Sequence, residues 1–263
     1  VLPYRFGYIC ENNSFAYGIT CGRDHCGFRG SLFHLPLEDK KGDQDIMIEV
    51  NSISFRYHED WVLQDVSFRV EKGECVGVIG PNGSGKTTLF NVITGFLKAE
   101  SGKATFRGED ITGLPPHQIC RKGISRIFQL VKPFSQLTTL RNVMVGRTYG
   151  KDHATTMRQA QEEVVEIIHF VGLGNKMDVI ANQLTIAERK KLELARALAA
   201  RPQLILLDEL MAGLNPAETE TAMELVRKIQ ESGITVIMVE HIMKAVLGIS
   251  DRVIVLNAGI KIA

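Results

Sequence analysis

The residues with the clearest chemical purpose form the run GPNGSGKTT at 80–88, which follows the apolar stretch CVGVIG. It fits GxxxxGK[ST]. Gly80, Pro81, Asn82, Gly83, Ser84 and Gly85 let the backbone wrap phosphates and donate its amides, Lys86 reaches the β- and γ-phosphates, and the Thr87 hydroxyl, followed by Thr88, can hold Mg²⁺. A purely structural glycine turn needs no Lys and Thr at these offsets. No GxGxxG triplet follows the strand, which disfavours a dinucleotide wrap. A second anchor is LILLDE at 204–209: Asp208 can deliver a carboxylate beside a metal, and Glu209 can polarise a water for attack on the terminal phosphate. Alone, two acids at a strand end serve a solvated turn as readily as a site; beside a phosphate loop they read as a site. Gln129, at the end of SRIFQ, and His241, after TVIMVE, are weaker signals, because a polar strand end satisfies local backbone groups and a lone His there also suits a helix cap.

Five cysteines stand at 10, 21, 26, 75 and 120, an odd set that argues against a secreted disulfide scaffold. Cys21 and Cys26, with His25 between them, could begin a metal site or a redox pair, but no second ligand pair follows. Cys75 lies in an apolar run and reads as a small core residue; Cys120 has no nearby ligands.

Positioning the phosphate loop requires an α/β chain, and the pattern supplies one. IMIEVNSISFRY and VLQDVSFRV read as paired antiparallel strands, and the domain is expected to start at residue 46. CVGVIG, SRIFQ, QLILLDE and TVIMVEH read as short buried strands alternating with helices, which argues for a mainly parallel core sheet. From Leu130 to about Asn182 the chain reads as helical, with Ala160, Val164, Ile167, Ile168 and Val171 on one face, the mark of a helical subdomain inserted at about 130–187. Residues 103–112 read as an edge strand and turn, PPHQICRKG as a short helix, and DRVIVLNAGIKIA as a closing hairpin. Residues 1–45 carry no sustained period and read as an irregular extension or linker. The start lacks Met and the end falls within a strand, so both ends are expected to be cut from something longer, with the 46–263 domain truncated at its C-terminus.

The whole chain has 263 residues, enough for a core without staples. Its 31 Lys plus Arg against 30 Asp plus Glu leave a net charge of +1, so no global field favours nucleic acid or an anionic membrane. No run approaches the roughly 18–20 apolar residues of a membrane span, and no secretory signal opens the chain.

In these motifs and their order the chain resembles the nucleotide-binding subunits of the ATP-binding cassette (ABC) superfamily: Tyr57, GPNGSGKTT, Gln129, LTIAE at 184–188, LILLDE, GLN at 213–215 and His241. The match covers about residues 47–263. The resemblance implies a P-loop NTPase that hydrolyses ATP with Mg²⁺. It assigns Tyr57 to the adenine, and Lys86 and Thr87 to phosphate and metal. Asp208 and Gln129 go to the metal as well, Gln129 also coupling the site to the helical subdomain. Glu209 becomes the catalytic base and His241 the sensor of the γ-phosphate. Thr185, Ile186, Ala187 and Glu188 would contact the ATP of an opposite subunit, which implies a head-to-tail dimer, homomeric or heteromeric. The segments GEDITGLPPHQICRKGISRIFQ and ELMAGLNPAET look like subunits of importers for branched-chain amino acids or related polar solutes such as urea or amides. That likeness implies membrane permease subunits, an indirect periplasmic or extracellular solute-binding protein, and a peripheral place on the cytoplasmic face of the membrane, with no nucleic acid partner.

Three departures qualify the resemblance. The family segment usually reads LSGGQ, whereas 184–188 lose both glycines and carry Glu188, whose charge near phosphate calls for compensation from Arg189 or Lys190. Leu210 stands where Pro usually follows the two acids, and is expected to loosen that turn. Asn215 replaces a frequent Asp. Alternative readings are a soluble cassette ATPase acting on DNA or ribosomes, against which stand the absence of a coiled-coil insertion and of a basic face, and a degenerate regulatory module, which the intact Lys86, Asp208, Glu209 and His241 oppose.

Overall fold

The computed structural model describes residues 46–130, 132–152 and 156–263. The extension at 1–45, with Cys10, Cys21, His25 and Cys26, lies outside the described residues.

Alternating β-branched and aromatic residues build two long strands, β1 (Ile46–Tyr57) and β2 (Asp60–Glu71), which pair antiparallel. With β4 (Ser101–Phe106) and β5 (Glu109–Asp110) they form a four-stranded sheet ordered β2-β1-β4-β5. Ile48, Val50, Ile53, Leu63, Val66 and Val70 are fully buried on one face of this sheet. They share a core with Leu89 and Phe90 of α1 (Lys86–Ile93) and with one face of a second sheet.

That second sheet contains β3 (Cys75–Ile79), β6 (Ile124–Ile127), β7 (Leu204–Asp208), β8 (Thr235–Val239), β9 (Arg252–Asn257) and β10 (Ile260–Lys261), in the order β10-β9-β3-β8-β7-β6. All pairs are parallel except the closing β9–β10 hairpin. β7 and β8 are buried at every position, as expected of strands covered on both faces. The core is an α/β P-loop NTPase sheet.

The helical stretch holds α3 (Thr139–Tyr149) and α4 (Met157–Phe170), and the face of α4 formed by Ala160, Val164, Ile167 and Ile168 is buried as its periodicity predicts. Helix does not continue to residue 182. Gly172, at φ +77°, ends α4: its amide bonds to His169 and the next to Ile168, and two short 3₁₀ turns follow. α2 (Pro116–Lys122), α5 (Ile186–Ala199), α6 (Pro216–Glu231) and α7 (Met243–Ile249) complete the order. α5 packs with α4 and α6 residues around Leu192, Leu198, Val226 and Ile229 on the other face of the core sheet. Cys75 is buried there, and desolvation pushes its thiol up to about 12, so it is inert at neutral pH.

Candidate nucleotide site

The parallel strands deliver every strand-end residue named above to one rim. Gly80 follows β3, Glu209 follows β7, His241 follows β8 and Gln129 follows β6. In open α/β sheets this carboxyl-end rim is where ligands bind. The order β8-β7-β6 also explains which residues meet: Glu209, on the middle strand, has His241 on one side and Gln129 on the other. Gln129 Nε2 donates to Glu209 Oε2 at 2.7 Å, and His241 Nε2 lies 2.9 Å from Oε1. Glu209 itself adopts φ +53°, an unusual conformation for a side-chain-bearing residue, while its amide donates to the Val239 carbonyl at 2.9 Å.

The phosphate loop faces this trio across a cavity of about 520 Å³ lined by Val62, residues 82–88, Gln129, Glu209 and His241. α1 starts at Lys86 without a side-chain cap, so its free amides point at the cavity, as at helix ends that bind anions. Gly85 caps it at φ +99°, and a Cβ there would lie 2.8 Å from the Val62 carbonyl oxygen. Lys86 is buried and folds back, donating to the Gly80 and Pro81 carbonyls at 2.7 and 2.9 Å. Burial pulls its amine below the ordinary lysine value, against the pull of Glu209 and Asp208.

Asp208 is buried at the end of β7, with Oδ2 held at 2.8 Å by Arg126 Nη2 and Oδ1 without a hydrogen-bond partner. An unpartnered buried carboxylate oxygen suits a hard cation that takes most of its ligands from phosphate and water. Among the described residues no group of three or more acids, histidines or cysteines is placed to hold a metal ion by itself.

Tyr57 and the expected residues at 185–188 lie apart from the cavity. Tyr57 sits at the tip of the β1–β2 hairpin with its ring half exposed and edge-on to Phe55, and does not line the cavity. Thr185 and Glu188 form a capping box at the start of α5: Glu188 accepts from the Thr185 amide at 2.9 Å, and Thr185 Oγ1 accepts from the Glu188 amide at 3.3 Å. With Ala187 they line a separate cavity of about 270 Å³ together with Leu210 and Leu214, while Ile186 is exposed.

The expected departures resolve differently from their sequence reading. Glu188 is compensated by Lys176, 3.6 Å away; Arg189 instead donates to the Asn182 carbonyl at 2.7 Å. Lys190 is buried and holds the carbonyls of Leu210 at 2.7 Å and Glu209 at 3.2 Å. The turn after the two acids is therefore not loose: Leu210 is buried in the core, and the Met211 amide donates to Glu240 Oε1 at 2.8 Å. Burial is what draws Lys190 below, and Glu240 above, its usual range. Asn215 caps α6 in a second capping box with Glu218. Arg126 was not singled out by the sequence, although the Asp208 carboxylate depends on it.

A phosphate-cradling loop, a carboxylate for metal and a doubly held glutamate on one parallel-sheet rim define a P-loop nucleotide hydrolase. The ABC transporter family model matches residues 63–212. The chain is 36% identical over 230 residues to the high-affinity branched-chain amino acid transport ATP-binding protein BraF of Pseudomonas aeruginosa, across 82% of this chain and 90% of that one. It is 39% identical over 210 residues to the probable branched-chain amino acid transport ATP-binding protein LivG of Archaeoglobus fulgidus, across 76% and 82%. Among solved structures, the ADP conformation of an ATP-binding cassette of an ABC transporter superposes with a TM-score of 0.77 at 33% identity, covering 83% of this chain and 90% of that one. The chain belongs to the ABC transporter family, as an ATP-binding and ATP-hydrolysing subunit. No helix among the described residues is long and apolar enough to cross a membrane.

Proposed function

We propose that the chain energises an importer of branched-chain amino acids or a related polar solute by binding and hydrolysing ATP, and that the domain at 46–263 carries this work. The observation that carries the reading is the Glu209 carboxylate, held through both oxygens by Gln129 and His241 across a cavity from the phosphate loop. The amides of residues 82–88 and Lys86 hold the phosphates, releasing Lys86 from the Gly80 and Pro81 carbonyls. Thr87, Asp208 and Gln129 would hold Mg²⁺, which would offset the charge on the phosphates. Glu209 orients a water and accepts its proton as the oxygen attacks the γ-phosphorus and the bond to the β-phosphate oxygen breaks. His241 fixes Glu209 and meets the γ-phosphate. Fixed donors and orientation, more than covalent chemistry, supply the acceleration.

Tyr57, exposed at its hairpin tip, offers a face for the adenine. Thr185, Ile186, Ala187 and Glu188 lie outside the cavity of their own chain, which supports their contacting the nucleotide of a second cassette subunit in a head-to-tail pair. A groove of about 390 Å³ with the exposed rings of Phe96, Phe128, Phe134 and Tyr149 along it is an apolar surface suited to membrane permease subunits. The chain then sits at the cytoplasmic face of the membrane through those permeases, which receive solute from a binding protein.

Reconstitution with membrane permease subunits of a branched-chain amino acid importer tests this reading. ATP on the cassette side should drive uptake of radiolabelled leucine, or of urea, into proteoliposomes, and the permeases should stimulate hydrolysis. ATP turnover indifferent to permeases but stimulated by DNA or ribosomes would contradict it.

A further inference from the structure

Arg126 reaches both the Asp208 carboxylate and the aromatic groove. It is the third residue of β6, its side chain is 4% exposed, and Nη2 holds Asp208 Oδ2 at 2.8 Å. Its other amine, Nη1, donates to Asn91 Oδ1 at 2.7 Å and to Thr94 Oγ1 at 3.3 Å, both from the α1 region that follows the phosphate loop. The guanidinium carbon lies 5.5 Å from the centroid of the Phe90 ring and 4.7 Å from that of Phe128. Phe128 is 42% exposed, stands edge-on to Phe96 at 5.4 Å, and lines the aromatic groove with Phe96 and Arg126 itself.

We propose that Arg126 is a positioning residue for metal binding. Its planar fork fixes Asp208 through Oδ2 and leaves Oδ1 for the cation, and the face of Phe128 braces the fork. This rests on the function proposed above. The fork can hold Asp208, Asn91 and Thr94 at once because guanidinium donors have fixed directions; an ammonium keeps the charge but loses that geometry and the stacking. The Arg126–Asp208 pair bridges the parallel neighbours β6 and β7, with Phe128 against the guanidinium.

The test is Mn²⁺ binding, read by electron paramagnetic resonance, to the full chain saturated with a non-hydrolysable ATP analogue, alongside affinity for that analogue in EDTA. Arg126→Lys should raise the Mn²⁺ concentration for half-saturation about tenfold, the scale of losing a residue that orients a metal ligand. Affinity in EDTA should hold. Phe128→Leu, a change at the surface that leaves the ion pair in place, should raise it by roughly two- to fivefold, the scale of one cation–π contact. Unchanged Mn²⁺ demand in Arg126→Lys, or an equal loss of affinity in EDTA, would overturn the positioning role. Unchanged demand in Phe128→Leu would overturn the bracing role of Phe128. An unaltered chain that takes up no nucleotide would overturn the proposed function and this inference together, whereas normal uptake with unchanged metal demand in the variants would overturn this inference alone.

Discussion

His241 Nε2 lies 2.9 Å from Glu209 Oε1, although the two residues are separated by a whole helix and strand in the chain. They meet because β7 and β8 are parallel neighbours that end at the same rim. With Gln129 on the other oxygen, the carboxylate is oriented before any nucleotide arrives, which is how a positioned group gains catalytic leverage.

His241→Ala should lower the maximal rate of ATP hydrolysis roughly a hundredfold, the scale of removing one oriented donor, while weakening nucleotide affinity far less. Steady-state hydrolysis with a fluorescent-nucleotide titration separates the two. An equal loss of affinity and rate would make His241 a binding group and not an orienting one.

Lys190→Met should destabilise the fold by about 1–3 kcal/mol, because two carbonyls lose their buried donor. It should also slow hydrolysis, since those carbonyls belong to Glu209 and to the residue after it. Urea unfolding beside turnover measurements checks both, and unchanged stability would show that water replaces the ammonium without cost.

Glu188 provides a pH-dependent element. Its carboxyl lies below the ordinary value of 4.5 because the Thr185 amide donates to it, with the Lys176 charge assisting. A depressed folded value means that the stabilisation is complete above the ordinary carboxylate range and is lost as pH falls through the folded value. Glu188→Ala should cost about 0.5–1 kcal/mol near pH 7, and the gap from the unaltered chain should close in acid. Thermal melts from pH 7 down to about 3 read this directly; a gap independent of pH would show that the carboxylate charge contributes nothing.

Much of this was legible in the residues themselves. CVGVIG followed by GPNGSGKTT could only be a buried strand turning into a phosphate loop, and β1 begins and ends where the alternation of IMIEVNSISFRY does. What could not be read was strand order, since nothing local in TVIMV or LILLD says that they are neighbours, and so the convergence of Gln129 and His241 on one carboxylate came only with the fold. Arg126 looked like an ordinary charge in a short strand; its partner is 82 residues away. The misreading of Arg189 and Lys190 has the same source. Proximity in sequence suggested that they neutralise Glu188, but the turn of α5 sends Lys190 inward to β7, and Lys176 arrives from a 3₁₀ turn instead. Leu210 was expected to weaken a turn by lacking a proline ring, yet burial and two hydrogen-bonded neighbours hold that turn.

The most direct test is single-turnover hydrolysis of preloaded ATP by the full chain assembled with its permeases, comparing the unaltered protein with Glu209→Gln. The amide keeps the shape and can still meet Gln129 and His241, but cannot take the proton from water. The variant should bind ATP as tightly and release phosphate at least roughly a hundredfold more slowly. Phosphate release at the same rate from both, with equal nucleotide loading, would contradict the assignment of Glu209 as the base that carries the reaction.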